Sequence, residues 1–531
     1  MQSSPRHILL LTAALAIAAC GGGGGGATTA GGAGGTGSVP GAPSENRVPT
    51  ANAGPDQDVD ETSTVNLDGS ASSDLDGDAL SFSWRQTAGT AVTLSDAAVS
   101  TPSFTAPDVA AGNPETLTFE LTVSDGTATD SDTVSVTVTE PPQKVSVAGR
   151  VYYEFVPPVV SGTRCTGLNF SATEERPIRR ATVQLLDADN TVIGTTTAAE
   201  DGSYAFPDID AGIDVRVRVR AELKKSGAPS WDVEVRDNVD TSESPAPLKE
   251  RPLYVVQWEL FNTGARDIDD ADFTARAGWN GSTYASTRAA APFAILDAIY
   301  DGVELVLSVE PGAALPPLDA FWSVNNKPVS PTDIDNGELS SSFYSPGQDS
   351  LFLLGDSATD TEEFDDHVVM HEWGHYFEDN FSRSDSIGGQ HFLGESLDLR
   401  LAFGEGFGHA IAAMTLDDPQ YCDTGAVDGG AGSFGFSTET NNSGLQGWFN
   451  ELSVATFLYD LWDTDPDGVD TGSLGFAPIY QTMTGPQANT SAFTTVFSFA
   501  AELGNMLTPA EREFLDAQLA RENIDVASLD L

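Results

Sequence analysis

Alternation of apolar and polar residues predicts two successive β-rich segments in the first half of the chain. In the runs FELTV (119–123) and TVSVTV (133–138) every second residue is apolar, which is the period of a strand with one buried face. Turn residues separate such runs from 49 to 140, and further alternating runs continue from 145 to 240. Each segment has the length and turn spacing of a small β-sandwich.

The pattern becomes mixed from residue 241 onward. Residues 289–308 carry apolar positions at helical spacing, whereas 319–329 and 341–356 read as short strands with turns between them. Strands followed by long helices predict an α+β domain over 241–531. The sequence therefore predicts a multidomain chain, with two all-β sandwich modules followed by an α+β domain.

The N-terminus predicts a targeting segment. The apolar run at 8–19 is too short to span a bilayer and ends directly before Cys20. This run, with IAAC-G after it, resembles a bacterial lipoprotein signal over 1–20. The resemblance implies cleavage before Cys20, lipidation of its thiol, and a location in the cell envelope, with Gly21 implying the outer membrane or cell surface. The alternative is an ordinary secretory peptide cut near Ala19.

Composition limits the classes of partner and the cellular compartment that fit this chain. Residues 21–48 open with six glycines and predict a flexible tether. The chain has 79 acidic and 25 basic residues, a formal net charge of −54, which repels nucleic acid. Cys165 and Cys422 lie in different predicted domains, so a disulfide is possible, but two free, buried thiols are the prediction.

The β modules resemble known accessory domains. The strings VNLDGSASSDLDGDALSFSW and LTFELTVSDGTATDSDTVSVTV resemble PKD-like domains of secreted bacterial proteases and glycosidases. DGSYAFPDI in the second module resembles transthyretin-like or carboxypeptidase-regulatory-like sandwiches. Asp74, Asp76 and Asp78 place three carboxylates within five residues, which suits a calcium-binding turn. A solvated Asp/Gly turn explains them equally well.

The chemistry is concentrated in a HExxH motif that runs from His371 to His375. We predict a helix from about Thr361 to Asp379, with the acidic residues around 362–366 in its first turns. The two histidines then lie one turn apart on one face and can bind a single zinc ion. Glu372 points beside them, toward a water on the metal.

A catalytic zinc needs a third protein ligand. The metzincin motif HExxHxxGxxH is excluded because Glu378 and Phe381 stand at its Gly and His positions. The segment AFGEGFGHAIAAM offers Glu405, and it resembles the GEGWxD helix of fungalysin-type peptidases and the NExxxD helix of thermolysin. The resemblance implies a gluzincin-type, zincin-fold domain with Glu405 as the third ligand. Glu395 and Asp398 are the nearest competitors, and a loop is the alternative to a helix here.

One position departs from these families. Four residues after the glutamate they carry an acid that orients a zinc histidine, whereas this chain has His409. His409 could accept that hydrogen bond or face the substrate. His391 and Tyr459 are further candidates for a transition-state donor. In thermolysin-like enzymes an edge strand pairs with the substrate, and the resemblance assigns this role to 349–354.

The residues and the resemblance together predict a zinc-dependent endopeptidase acting on proteins or peptides. Glu372 is the expected general base, with one zinc ion as cofactor, calcium as a possible second ion, and the lipid anchor as the membrane contact. The alternative is a surface adhesion or substrate-binding lipoprotein whose zinc domain is structural or inactive. A zinc hydrolase with a non-peptide substrate would use the same ligands.

Overall fold

The computed structural model describes residues 45–110, 112–427, 432–441, 443–464 and 472–525. Cys20 and almost all of the predicted tether lie outside these residues. The chain divides into two compact units, one up to Pro141 and one from Pro142. None of the helices in the described part has the length and apolar character that crossing a membrane requires.

The described part of the first unit, from residue 45, is all β. Leu117, Phe119, Leu121 and Val123 alternate along one strand and are fully buried, as a sheet with one face on a core requires. The main sheet has the order β1-β6-β5-β3, and β2 pairs with β4. The strands are β1 (Gln57–Asp60), β2 (Thr64–Asn66), β3 (Ser81–Ala88), β4 (Ser103–Thr105), β5 (Glu115–Ser124) and β6 (Thr129–Thr139).

The second unit combines sheets with helices. Its first strands are β7 (Lys144–Phe155), β8 (Pro158–Ser161), β9 (Arg164–Leu168), β10 (Glu174–Pro177), β11 (Ala181–Asp187), β12 (Val192–Thr197), β13 (Ser203–Asp210), β14 (Asp214–Lys225) and β15 (Trp231–Arg236). Then follow β16 (Val255–Gln257), β17 (Phe261–Asn262), β18 (Phe273–Ala275), β19 (Leu318–Trp322), β20 (Lys327–Pro328), β21 (Glu338–Leu339), β22 (Phe343–Ser345), β23 (Ser350–Leu353), β24 (Gln420–Asp423) and β25 (Phe434–Ser437). The helices are α1 (Ala291–Val309), α2 (Asp366–Phe381), α3 (Leu399–Leu416), α4 (Glu451–Trp462), α5 (Phe476–Thr482), α6 (Val496–Met506) and α7 (Pro509–Arg521).

The predicted boundary between 145–240 and 241–531 is wrong, because one nine-stranded sheet crosses it. Seven of its strands run in the order β12-β11-β14-β15-β19-β23-β22, and β16 and β17 both pair with β14. The β15 strand pairs in parallel with β19, Val233 opposite Leu318. The strands on both sides of the boundary also share one buried apolar core with the helices. Residues 142–531 therefore form a single unit.

The helices that follow the sheet approach one another closely at glycines. A Cβ on Gly302 of α1 would lie 2.8 Å from side-chain atoms of Met370 and Trp373 on α2. A Cβ on Gly374 of α2 would lie 3.0 Å from the Cα of Gly408 on α3. These contacts are shorter than packed side chains allow, so glycine at these positions permits the stacking of α1, α2 and α3.

The two cysteines form a disulfide, so the prediction of free thiols is wrong. Cys165 on β9 and Cys422 on β24 have Cα atoms 5.3 Å apart, within the usual range. The β24–β25 hairpin lies against β9, since a Cβ on Gly435 would be 2.8 Å from the backbone nitrogen of Cys165. The prediction failed because it placed the cysteines in separate domains, whereas both belong to one unit.

Candidate metal centre and substrate cavity

The helix that carries the HExxH motif begins at Asp366, later than the predicted start near Thr361. The preceding acidic residues are therefore not in its first turn. Asp365 stands at the N-cap position without capping the helix, and its Oδ2 instead accepts hydrogen bonds from the backbone N–H (2.7 Å) and hydroxyl (2.8 Å) of Thr424. These contacts hold Asp365 against Thr424, after a turn in which the backbone N–H of Asp365 donates to the carbonyl of Glu362 at 3.1 Å.

Three predicted ligand atoms converge on one point. His371 Nε2 lies 3.2 Å from Glu405 Oε2 and 3.2 Å from His375 Nε2, and His375 Nε2 lies 3.5 Å from the same carboxylate oxygen. Ligands bound tetrahedrally to zinc at 2.0–2.1 Å are about 3.3 Å apart, so this donor set fits the ion. Three protein ligands leave a fourth tetrahedral position for water or substrate.

Glu405 lies in the middle of a regular helix, not in a loop. It is buried on α3, whose first turn is capped by the side chain of Asp398. A Cβ on Gly408 would lie 2.9 Å from the ring of His371, and one on Gly406 would lie 2.5 Å from the side chain of Val454 on α4. These two glycines, which follow the glutamate along α3, thus allow the helix to lie close against α4 and α2.

The charges in this cluster depend on one another. Burial alone would raise the pKa of Glu405, but His375, His371 and His391 hold that pKa well below its usual range. Burial alone would lower the pKa of His375, but the Glu405 carboxylate outweighs it and raises the pKa to about 9. The site therefore holds an ionised carboxylate that faces histidines. A bound cation would neutralise this carboxylate in place of the protons on those histidines.

His409 contacts the candidate ligand His371 at the ring nitrogen that faces away from the candidate metal position. Its Nδ1 lies 3.0 Å from Nδ1 of His371, and burial, followed by the neighbouring His371, lowers the pKa of His409 well below its usual range. Neutral His409 can therefore accept the N–H of His371, which leaves His371 Nε2 unprotonated toward the metal position. Its ring also packs against Tyr421 and Phe436.

The strand next to the candidate base differs from the predicted one. The segment 349–354 forms β23, which lies inside the sheet, whereas β22 is the strand at the edge. The backbone N–H of Tyr344 on β22 donates a 2.7 Å hydrogen bond to Glu372 Oε2. The β22 strand, not β23, is therefore the edge strand that borders the site.

Two of the three candidate donors reach the site. His391 lines the cavity, with its Nε2 3.3 Å from Glu405 Oε2 and 3.5 Å from Glu451 Oε2. The hydrogen bond with Glu405 raises the pKa of His391 to about 9. Tyr459 is buried on α4 and does not line the cavity, so its prediction as a transition-state donor is wrong.

Sequence reasoning missed Glu451 and Tyr344. Glu451 is buried, which raises its pKa to about 7, and it faces His391 from the first turn of α4. Asn450 caps that turn, so the start of the helix was visible in the sequence, but its distance from His391 was not. The role of Tyr344 rests on a backbone N–H, which no residue pattern reveals.

The cavity around these residues has a volume of about 1110 Å³. The candidate ligands and Glu372 lie on one wall together with His409. A second wall carries three carboxylates, from Asp360, Glu362 and Asp423, whose ligand atoms lie within 4.8 Å of one another. The cavity is large enough for a peptide segment.

The Asp-rich turn of the first unit is held by its own backbone. Asp74 Oδ1 accepts the N–H groups of Asp76 (2.8 Å) and Asp78 (3.2 Å), and Asp76 accepts the N–H of Arg47. These are the contacts of a polar turn. Calcium binding at this turn stays a prediction.

Two family models match parts of the chain. A PKD domain model matches residues 53–138, and the Mycolysin C-terminal domain matches residues 330–508. The second match contains the three candidate ligands and Glu372. No curated protein sequence matches the chain.

Similar solved structures overlap only short parts of the chain. A nucleoside hydrolase-related hypothetical protein from Saccharophagus degradans is 25% identical over 18% of this chain and 26% of that one, with a TM-score of 0.16. The PKD domain of the KIAA 1837 protein is 34% identical over 17% of this chain and 86% of that one, with a TM-score of 0.15. The chain spans about a quarter of the first of these structures, and neither likeness bears on activity. The family matches give the chain a PKD-like domain followed by a region related to the C-terminal domain of mycolysin, a zinc-protease-related architecture.

Proposed function

We propose that this protein is a zinc-dependent endopeptidase. The observation that supports this proposal most directly is the convergence of His371, His375 and Glu405 beside Glu372. The spacing of the three ligand atoms fits a tetrahedral ion with one position left free. Zinc bound there would act as a Lewis acid and lower the pKa of water. A structural zinc is normally closed by four protein ligands and has no use for an adjacent carboxylate.

The chain's own residues supply positioning and proton transfer. Glu372 takes the proton of the attacking water and later passes it to the leaving amine. The backbone N–H of Tyr344 fixes one oxygen of that carboxylate, which leaves the other to face the water. The edge strand β22 offers backbone groups to an extended peptide in the cavity. His409 accepts the N–H of His371 and so holds that ligand's ring in place.

The test replaces Glu372 with Gln in the full chain. We expect the variant to bind one zinc per chain like the parent, while cleavage of unfolded casein falls by about 10²- to 10⁴-fold because the proton acceptor is gone. Glu513→Gln, at an exposed position of α7, is the matched control. Equal casein cleavage by the Glu372 variant and the parent would show that the mechanism is wrong.

We also propose that the protein is lipid-anchored through Cys20 in the cell envelope, because the apolar run ends at that residue and a disulfide fits an oxidising compartment. Labelled palmitate fed to the expressing bacterium should enter the parent and not Cys20→Ala, and the parent should fractionate with membranes. Release of the parent into the medium without label would contradict the anchor.

A further inference from the structure

The second wall of the cavity carries a cluster of carboxylates that the proposed reaction does not use. Asp360 and Glu362 come from the segment before α2, and Asp423 comes from the end of β24. One ligand atom from each lies within 4.8 Å of the others. We call Asp360, Glu362 and Asp423 the acidic subsite.

Its charge is not compensated by the protein. Within the described residues no Lys, Arg or His side chain forms an ion pair with any of the three carboxylates. Glu362 is 2% exposed, and while its Oε1 accepts the hydroxyl of Ser342 at 3.1 Å, its Oε2 is buried without a hydrogen-bond partner. Burial raises the pKa of Glu362 and brings that of Asp360 to about 7. A buried acid without a partner is costly, so the cluster is suited to a cation from outside the chain.

The edge strand β22 and the residue before it contact both the acidic subsite and the candidate base Glu372. The hydroxyl of Ser342 contacts Glu362, and the N–H of Tyr344, two residues further along, contacts Glu372. Two residues of an extended chain span about 7 Å. A peptide that extends beside β22 would have the same length per residue. Side chains within two residues of its cleaved bond can therefore reach the subsite.

We propose that the acidic subsite binds the cationic side chain of a lysine or arginine located within two residues of the cleaved bond. This inference rests on the proposed peptidase function and names its substrate class. A lysine ammonium has three N–H donors, and acceptors about 2.8 Å from one tetrahedral nitrogen are about 4.6 Å apart. The spacing of the three carboxylates is compatible with this arrangement.

A resident divalent ion fits the subsite less well. Calcium takes six to eight oxygen ligands, whereas three carboxylates converge here and one oxygen of Glu362 is already bound by Ser342. Asp365, which lies nearby, is not among the residues that converge and is engaged by Thr424. The subsite also opens into the cavity that holds the candidate metal centre.

The experiment uses the full chain and a set of peptides that differ at one position. Each peptide carries lysine, arginine, norleucine or glutamate at one of the four positions that flank the cleaved bond. We expect kcat/KM for lysine or arginine to exceed that for norleucine by about tenfold or more at one position, the gain of a charge-assisted contact. Asp423→Asn and, independently, Asp360→Asn should bring this ratio close to one. Asp356→Asn, in the same segment but outside the cavity lining, should keep it.

The outcomes separate this inference from the proposed function. Cleavage without a preference for basic residues overturns the inference and leaves the peptidase standing. If no peptide is cleaved, the peptidase proposal fails, and titration calorimetry of the lysine and norleucine peptides decides the subsite, with equal affinities overturning it. A divalent ion that the parent binds and both Asn variants lose, with the peptide ratio unchanged, shows a resident metal and also overturns it. Thermal unfolding of each variant confirms that it is folded.

Discussion

His409 marks where this chain differs from the peptidases that its motif resembles. Its Nδ1 faces Nδ1 of His371 at 3.0 Å, at the position where those families carry an acid. Because a neutral imidazole can accept one hydrogen bond, it can perform the orienting role of that acid without adding a negative charge. The candidate ion is therefore surrounded by two histidine ligands, one glutamate ligand and a neutral outer partner.

Replacing His409 with Phe should weaken zinc binding. The N–H of His371 would lose its buried acceptor, and loss of such a partner typically costs 10- to 100-fold in metal affinity. His409→Asp should restore most of the affinity, because a carboxylate oxygen can take the place of Nδ1. Competition with a chelator measures both dissociation constants. If the Phe variant binds zinc as tightly as the parent, His409 has no orienting role.

At the residue scale the sequence was sufficient to select candidate ligands that converge in the structure, and insufficient for their surroundings. His371, Glu372 and His375 follow from the HExxH motif on one helix, and Glu405 follows from the resemblance of its segment to the second helix of gluzincin-type peptidases. Glu451 and His391 come from segments far apart in sequence, and their proximity depends on tertiary packing. Tyr459 failed because the face of α4 that meets the cavity could not be assigned from a helix buried on nearly every side.

At the scale of elements, the segment before α2 is the main correction. Charge alone predicted that its acids would stabilise a helix N-terminus. In the structure Asp365 binds Thr424 and Glu362 faces the cavity, because the contacts with Thr424, directly after β24, and with Ser342 outweigh a weak helix-dipole term. Likewise, the prediction placed the edge strand at 349–354. This was wrong because the apolar pattern of a hairpin does not show which of its two strands lies at the edge of the sheet.

Glu362→Gln should change how stability depends on pH. Burial, then Asp360 and Asp423, raises the pKa of Glu362 in the folded state, so its contribution to stability is fully present below the unfolded pKa of about 4.3 and is lost as pH rises. Gln resembles the protonated acid and does not ionise. We expect the Tm of the variant, relative to the parent, to rise by at least about 2–4 °C between pH 5 and pH 8.

The matched control for this measurement is again Glu513→Gln, whose Tm should follow that of the parent at each pH. Calorimetry or circular dichroism at pH 5, 6.5 and 8 gives the three curves. A Glu362 variant that loses stability relative to the parent at pH 8 would contradict the expectation, since it would mean that the charged form is the stabilising one in the fold.

At the scale of the whole molecule, the second β module and the part of the chain that carries the candidate ligands form one unit. The parallel pairing of β15 with β19 joins residues 85 positions apart, such as Val233 and Leu318. Alternation identified the strands before residue 240 and short apolar runs identified β19 and β23, but neither pattern carries information on which strands pair. The β-rich first unit and the later helices were therefore predictable from the sequence, whereas the boundary within the second unit was not.

A fragment of residues 142–531 should therefore fold and bind zinc, and a fragment of 241–531 should not. The shorter fragment would expose the edge of β19 and the apolar surface that β14 and β15 cover, which favours aggregation. Size-exclusion chromatography and a zinc count on both fragments provide the measurement. A soluble, zinc-binding monomer from 241–531 would show that the two halves fold separately.

The Cys165–Cys422 disulfide closes a covalent ring around most of the second unit, with a sequence separation of 257 residues. All three candidate ligands and both walls of the cavity lie within or next to that ring. A cut in any exposed loop between the two cysteines opens the backbone but leaves both pieces joined. If the protein cleaves other proteins from a membrane surface, as we propose, this linkage keeps a nicked molecule in one piece.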